Sequence, residues 1–506
     1  MIARCFVAPS FALLVLVTST TVRAQHGAGG GSDHARRSEV GRAIESLTFN
    51  DLTWRVPAVG NEVERIFLPN GLTVFLYPER SVPRVGIILR LQDGDLYEAP
   101  GEVMEASFVT QLLQLGGSTS RSADEVDALI DRIAARFSLW TDVDRDGGSL
   151  RCLKEDAPTA INLLADLLRN PAFPADKLAY VKKAERESIL RQKDQPGWVS
   201  TTIFLHQLYG DHPFGRIVGL ADLESVSRAD LKRRHARHFD PRRTFVGVAG
   251  DFERDAMLRL VTTAFGSWEP GTGELPPMLP LAAAPPRGVY HFQKAVPQST
   301  LRMGHLSVGR GHPDEFALRI MNFILGGQGF RSRLGERVRS DEGLAYSVGS
   351  RYDLDSPVAG TFEARCETKV ASTFRAMNIM AEEIERMQSA PPNERELHEA
   401  REALINSFIH RWTNPVATLE QLMDLQLSGR PADYYQAYLD RLRAVTVEDV
   451  QRVAREHLHP DSLTTVIVGD APAMGTPPAG VTLVPVKLPR EYMGESEQAT
   501  AAAPKP

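Results

Sequence analysis

The sequence predicts an α+β protein built from two homologous halves, each an antiparallel sheet with helices packed on one face. Three observations carry that expectation. The chain has 506 residues, well beyond the roughly 100 to 200 of one compact domain. The segment ESVSRADLKRRHARHFDPRRTFVGVAGD, ending at Asp251, aligns without gaps on RAVTVEDVQRVAREHLHPDSLTTVIVGD, ending at Asp470. Between them lies EPGTGELPPMLPLAAAPPRG, a run rich in Pro, Gly and Ala that reads as a linker. A repeat of roughly 220 residues is a duplicated domain, because solenoid units run about 20 to 50.

The first element, 1–24, joins an early Arg4 to the apolar run FALLVLV and small residues ending at Ala24. That is the layout of a secretory signal peptide, cut after Ala24. Its apolar run is shorter than the roughly 20 residues of a spanning helix, and no later segment is a better candidate, so the mature protein is expected to be exported, in the periplasm, with no membrane span after cleavage; retention of the segment as an anchor is the weaker reading. Residues 25–50 are glycine-rich and polar and read as a flexible leader.

The first half, 51–268, contains GEVMEASFVTQLLQLGGS at 101–118. Met104, Phe108 and Leu112 stand four apart with Val109 and Leu113 beside them, so the pattern predicts a buried helix running into a glycine turn. A helix pair is expected over 153–192, and a Ser-capped helix and β-branched strand close the unit. After the linker, 269–287, the second half, 288–471, repeats the plan. NFILGGQ matches LLQLGGS, a second helix pair spans 368–411, and a Thr cap opens the last helix. The tail, 472–506, reads as low complexity.

Composition narrows the function. The net charge of -6, with both signs interspersed, lacks the basic footprint of nucleic-acid binding. Cys152 and Cys366 remain after Cys5 is removed with the signal, each near the end of a strand that leads into a helix pair. They are expected to be two separate free thiols.

Several segments taken in order carry a family resemblance. LPNGLTVFLYPERSVPRVGIILRL at 68–91, HPFGRIVG at 212–219, HFDPRRTFVGVAGDF at 238–252, LGGQGFRSRLGERVRSDEGLAYSVGS at 325–350 and the repeat at 445–470 together resemble the M16 metallopeptidases, the family of pitrilysin, insulysin and the mitochondrial processing peptidases. The resemblance implies two α+β domains forming one half of a clamshell that is often completed by a second chain. It also implies a zinc motif, HxxEH, on the first long helix: two His at i and i+4 hold Zn²⁺ and the Glu activates its water. Counted back from Gly117 and Ser118, the His positions fall on Phe108 and Leu112 and the Glu position on Gln111. None of these can perform that chemistry, and the matching residues of the second half are Leu318, Met321 and Asn322. Glu187 lies near the place of the family's later Glu ligand, with Ser188 there after a one-residue slip. Without two histidines it reads as a solvated helix residue.

The other histidines offer little by spacing. His312 and Glu315 form HxxE, but Phe316 stands where a second His would be needed. His235 and His238 could share a helix face, and His457 and His459 sit at a helix end before Pro460. No metal is therefore expected on this chain.

One family feature persists. ERVRSDEGLAYSV supplies Arg339 and Tyr346, the positions at which relatives hydrogen-bond substrate beside the zinc of the other half; Ser340 replaces the family's Glu. The resemblance thus implies a zinc-less subunit that contributes substrate-binding Arg339 and Tyr346, with zinc in a partner M16 peptidase chain and peptides as substrates. Two other readings stay open: a non-catalytic scaffold or peptide-binding protein of the same fold, and a peptidase with atypical ligands.

Overall fold

The computed structural model describes residues 55–489 except 100, 272, 280 and 282–286. The expected signal peptide and leader, the last part of the tail and part of the linker lie outside these residues. From Val56 onward the chain forms one unit.

Two six-stranded sheets repeat one plan. The first holds β1 (Glu64–Phe67), β2 (Thr73–Pro78), β3 (Arg84–Leu91), β4 (Arg136–Thr141), β5 (Asp146–Leu153) and β6 (Thr244–Gly250), in the order β1-β2-β6-β3-β5-β4. The second holds β7 (Gly288–Gln293), β8 (Gln298–Leu306), β9 (Ala345–Tyr352), β10 (Thr361–Lys369), β11 (Thr464–Gly469) and β12 (Leu483–Pro485), in the order β12-β7-β11-β8-β10-β9. Removing β1 and β12 leaves the same five-strand order in both.

The sheets are mixed, which corrects the expectation of antiparallel ones. β6 runs parallel to β2 and antiparallel to β3, and β11 runs parallel to β7 and antiparallel to β8. The long helical excursion before each of these strands gives the chain room for the crossover that parallel pairing needs. Within the stretch read as low-complexity tail, β12 pairs in parallel with β7, and Leu488 is buried in the core.

Local chemistry explains the repeated unit. Ser227 caps the Arg228–His238 helix and Thr446 caps the Val447–His457 helix, each as a full capping box with the Asp three residues on, Asp230 and Asp449. The matched apolar residues Val226 and Val445, and Leu231 and Val450, are all buried. The helix pairs also form, as Ala157–Arg169 with Ala175–Gln192 and as Thr373–Ser389 with Glu394–Ile409.

The halves are laced together by exchanged helices. The Pro196–Tyr209 helix, from the first half, packs on β8 and β11 of the second sheet. The Pro415–Leu427 helix, from the second, packs on β2, β3 and β6 of the first. Gly86 and Gly247 make the latter approach possible: a Cβ on Gly86 would strike Val416, and one on Gly247 would strike Met423 and Leu419. Polar bonds fix both crossings, Arg90 Nε to Asp424 Oδ1 at 2.6 Å and Arg302 Nε to Ser200 Oγ at 3.0 Å.

Candidate functional site

The Glu105–Leu115 helix carries the three positions that lack zinc ligands. It starts one residue later than the apolar spacing suggests, with Met104 as a left-handed N-cap (φ 68°). The buried Glu98 carboxylate accepts the Ala106 N–H at 3.2 Å, satisfying one helix-start donor from outside the helix. The helix ends at Gly116, and Gly117 (φ 70°) turns the chain.

Phe108 and Leu112 are both 0% exposed, packed in a large core that also takes in Val466 and Val468 of the second sheet. Gln111 is half-buried, and its amide donates to Ser107 Oγ at 3.1 Å and to Glu185 Oε1 at 3.4 Å. The carboxylate facing this helix from Ala175–Gln192 is therefore Glu185, one turn before Ser188, while Glu187 is exposed on another face. A helix-face reading would have found this, because 185 and 188 share a face and 187 does not. Two hydrocarbon side chains, an amide and one carboxylate form no zinc site.

In the second half the structure brings Arg339 and Tyr346 together. Arg339 lies on a π-helical segment, Gly335–Asp341, and its guanidinium carbon sits 4.7 Å from the centroid of the Tyr346 ring. Tyr346 is 81% exposed and stands on β9, the outer strand of its sheet. The pairing of β9 with β10 runs Ser347 to Glu367 and then Ala345 to Thr368, so Tyr346 is the extra residue of a β-bulge. Bulges and π-helical turns both re-aim side chains and recur at functional sites. The resulting pair offers a positive charge and an exposed phenol O–H on the last strand of its sheet, which suits a peptide carbonyl or carboxylate.

The histidines sort differently from their spacing. His235 donates from Nε2 to the Leu168 carbonyl at 2.8 Å and stacks on Phe239. His238 turns away to Asp93, Nδ1 to Oδ1 at 2.7 Å, so the two do not converge. Among the described residues, His312, Asp314 and His457 form a group of possible metal donors, all within 4.8 Å of one another. Asp314 comes from the turn before one helix and His457 from the end of another, a convergence with no local signature. Arg452, through its hydrogen bond, holds the Asp314 carboxyl down to about 2. Cys152 and Cys366 are both free and buried, and burial pushes their thiols up to about 11 and about 12.

Residues 225–404 match a family described as the peptidase M16 inactive domain. An uncharacterized zinc protease of Mycobacterium tuberculosis is 28% identical over 418 residues, spanning 79% of this chain and 92% of its own. Another from Streptomyces coelicolor is 25% identical over 405 residues, covering 78% and 87%. Among solved structures, a peptidase M16 inactive domain from Pseudomonas fluorescens superposes with a TM-score of 0.73 at 22% identity, over 84% of this chain and all of that one. A protease from Helicobacter pylori gives 0.74 at 18% identity, over 82% of this chain and all of that one. The periplasmic protease PqqL from Escherichia coli gives 0.71 at 15% identity, and there the match spans 84% of this chain but 47% of PqqL.

Proposed function

Because this chain belongs to the M16 peptidase family, we propose that it is the zinc-less subunit of a two-chain peptidase. A zinc-bearing M16 chain supplies the metal and the activated water. This chain supplies the chamber wall and the Arg339 and Tyr346 pair. The observation that carries the reading is a division within one molecule: Phe108, Gln111 and Leu112 put no zinc donor at the three motif positions of the first helix, while Arg339 is stacked on an exposed, bulged Tyr346.

The chemistry follows from those groups. An extended peptide lies past the exposed Tyr346, held by hydrogen bonds to its backbone. Arg339 and the Tyr346 hydroxyl donate to the scissile carbonyl oxygen as it gains negative charge beside the partner's zinc. The signal-like N-terminal sequence supports a site of action outside the cytoplasm, in the periplasm, and none of the described helices is long and apolar enough to cross a membrane.

Purified alone, the chain is expected to leave an unfolded peptide intact, with or without added Zn²⁺. Co-purified with its zinc-bearing partner it is expected to support hydrolysis, and Arg339→Ala in this chain should lower kcat by roughly 10²-fold. Zinc-dependent hydrolysis by the chain alone, or a fully active complex containing Arg339→Ala, would overturn the proposal. The second of those results would leave the chain as a scaffold.

A further inference from the structure

We propose that His312, Asp314 and His457 form a binding site for one divalent transition-metal ion, remote in sequence and role from the family's zinc helix. The two halves make the case by contrast. The capped repeat helix ends in a histidine in both, His238 and His457, and each histidine reaches a carboxylate. In the first half a third group, Arg234, fills the junction with a permanent cation, its Nη2 2.7 Å from the same Asp93 oxygen that His238 uses. The side chains of Arg234, Asp93 and His238 are all 0% exposed. That junction is shut from solvent and already holds a cation.

In the second half the carboxylate meets a second imidazole as well as an arginine, and the junction is half-buried. His457 Nε2 lies 2.8 Å from Asp314 Oδ2, and His312 Nδ1 lies 3.9 Å from the same oxygen. The two rings meet edge to face with centroids 5.0 Å apart. His312 Nδ1 accepts the Asp314 backbone N–H at 3.2 Å, so that nitrogen carries a lone pair rather than a proton. Ligands at about 2.0 to 2.1 Å on a tetrahedral ion stand about 3.4 Å apart, and the donors here bracket that spacing. Two imidazoles and one carboxylate suit Zn²⁺, Co²⁺ or Ni²⁺.

Arg452 also binds Asp314, with Nη2 2.6 Å from Oδ1 and Nη1 3.2 Å from Oδ2. Its side chain is 43% exposed, free to yield Oδ2 while keeping Oδ1. It then orients the ligating carboxylate from outside, a usual device at metal sites. His457 binds through Nε2 in the tautomer with its proton on Nδ1. All three donors are half-buried, and a cavity lined by His312, Asp314, Phe316, Tyr434 and Arg452 adjoins them, so water can complete the coordination. The ion would clamp the start of the Glu315–Asn322 helix to the end of Val447–His457.

The test uses the untagged full chain, stripped with chelator and then titrated with Co²⁺ and with Zn²⁺. The expected result is saturable binding of one ion per chain, the visible absorption of nitrogen- and oxygen-ligated Co²⁺, and a rise in Tm. His312→Ala, a change in a half-buried turn, and His457→Gln should each weaken binding by roughly 10- to 100-fold and cancel the Tm rise. Glu187→Gln should leave binding unchanged. Absence of saturable binding, or binding that survives both histidine variants, would overturn the proposal. Neither result bears on whether Arg339 serves hydrolysis, which is read by peptide cleavage in the complex.

Discussion

Phe108 and Leu112, where the family resemblance would set two histidines, pack as core residues of an intact helix. Both are fully buried, so putting histidines there would place polar rings in a dry core. The triple variant Phe108→His, Gln111→Glu, Leu112→His is expected to lose at least about 3 kcal/mol of stability and to gain no peptidase activity; urea unfolding and a peptide assay check both. The apolar character of Phe108 and Leu112 is plain in the sequence. Their full burial and the Gln111 to Glu185 contact are not, because both depend on a helix many residues away.

Burial also gives the residue scale a pH dependence. His235 and His305 are both held down to about 4 by burial. Each stays neutral in the fold, while in the unfolded chain it takes up a proton below about pH 6.5. The stability they contribute is therefore whole above pH about 6.5 and is lost as the pH falls toward 4. At pH 5 the loss is about 2 kcal/mol for each group. Urea unfolding at pH 7.5 and pH 5 should show it, and His235→Gln should remove part of the slope. A slope identical in the variant would count against His235 as a source.

Among the elements, those with local signals were the ones legible in advance. Ser227 and Thr446 announce their helices by capping boxes, the glycine turn after Leu115 marks a helix end, and the two thiols sit near the strand ends where their spacing puts them. The parallel β2–β6 and β7–β11 pairs were not legible, since nothing within a strand records the direction of a partner over a hundred residues away. The bulge at Tyr346 was hidden for the same reason: it exists only in the register with β10. Element contacts supply a direct test at Gly86, which faces Val416 on the exchanged helix. Gly86→Ala is expected to cost about 1–3 kcal/mol, and adding Val416→Ala should recover part of it. A double-mutant cycle with no coupling would argue against that packing.

For the whole molecule, the exchange of helices makes the sequence halves and the structural halves different things. The linker at 269–287 marks a covalent joint, yet the Pro196–Tyr209 helix before it covers the second sheet and the Pro415–Leu427 helix after it covers the first. Fragments cut at the linker are expected to be insoluble or to lack fixed tertiary packing when made singly, and to fold when co-expressed. Near-UV circular dichroism of each fragment and of the mixture reads this directly. A cooperative unfolding transition in either fragment alone would show that the exchanged helix is dispensable.

That exchange also bears on how such a chain could have arisen. Side-chain changes on one buried helix of the first half, at positions such as Phe108, Gln111 and Leu112, leave that exchange intact. Deleting the half itself would strip the other of its covering helix. A duplicated gene so interlocked can change side chains far more readily than it can shed length, because each half is part of the other's covering.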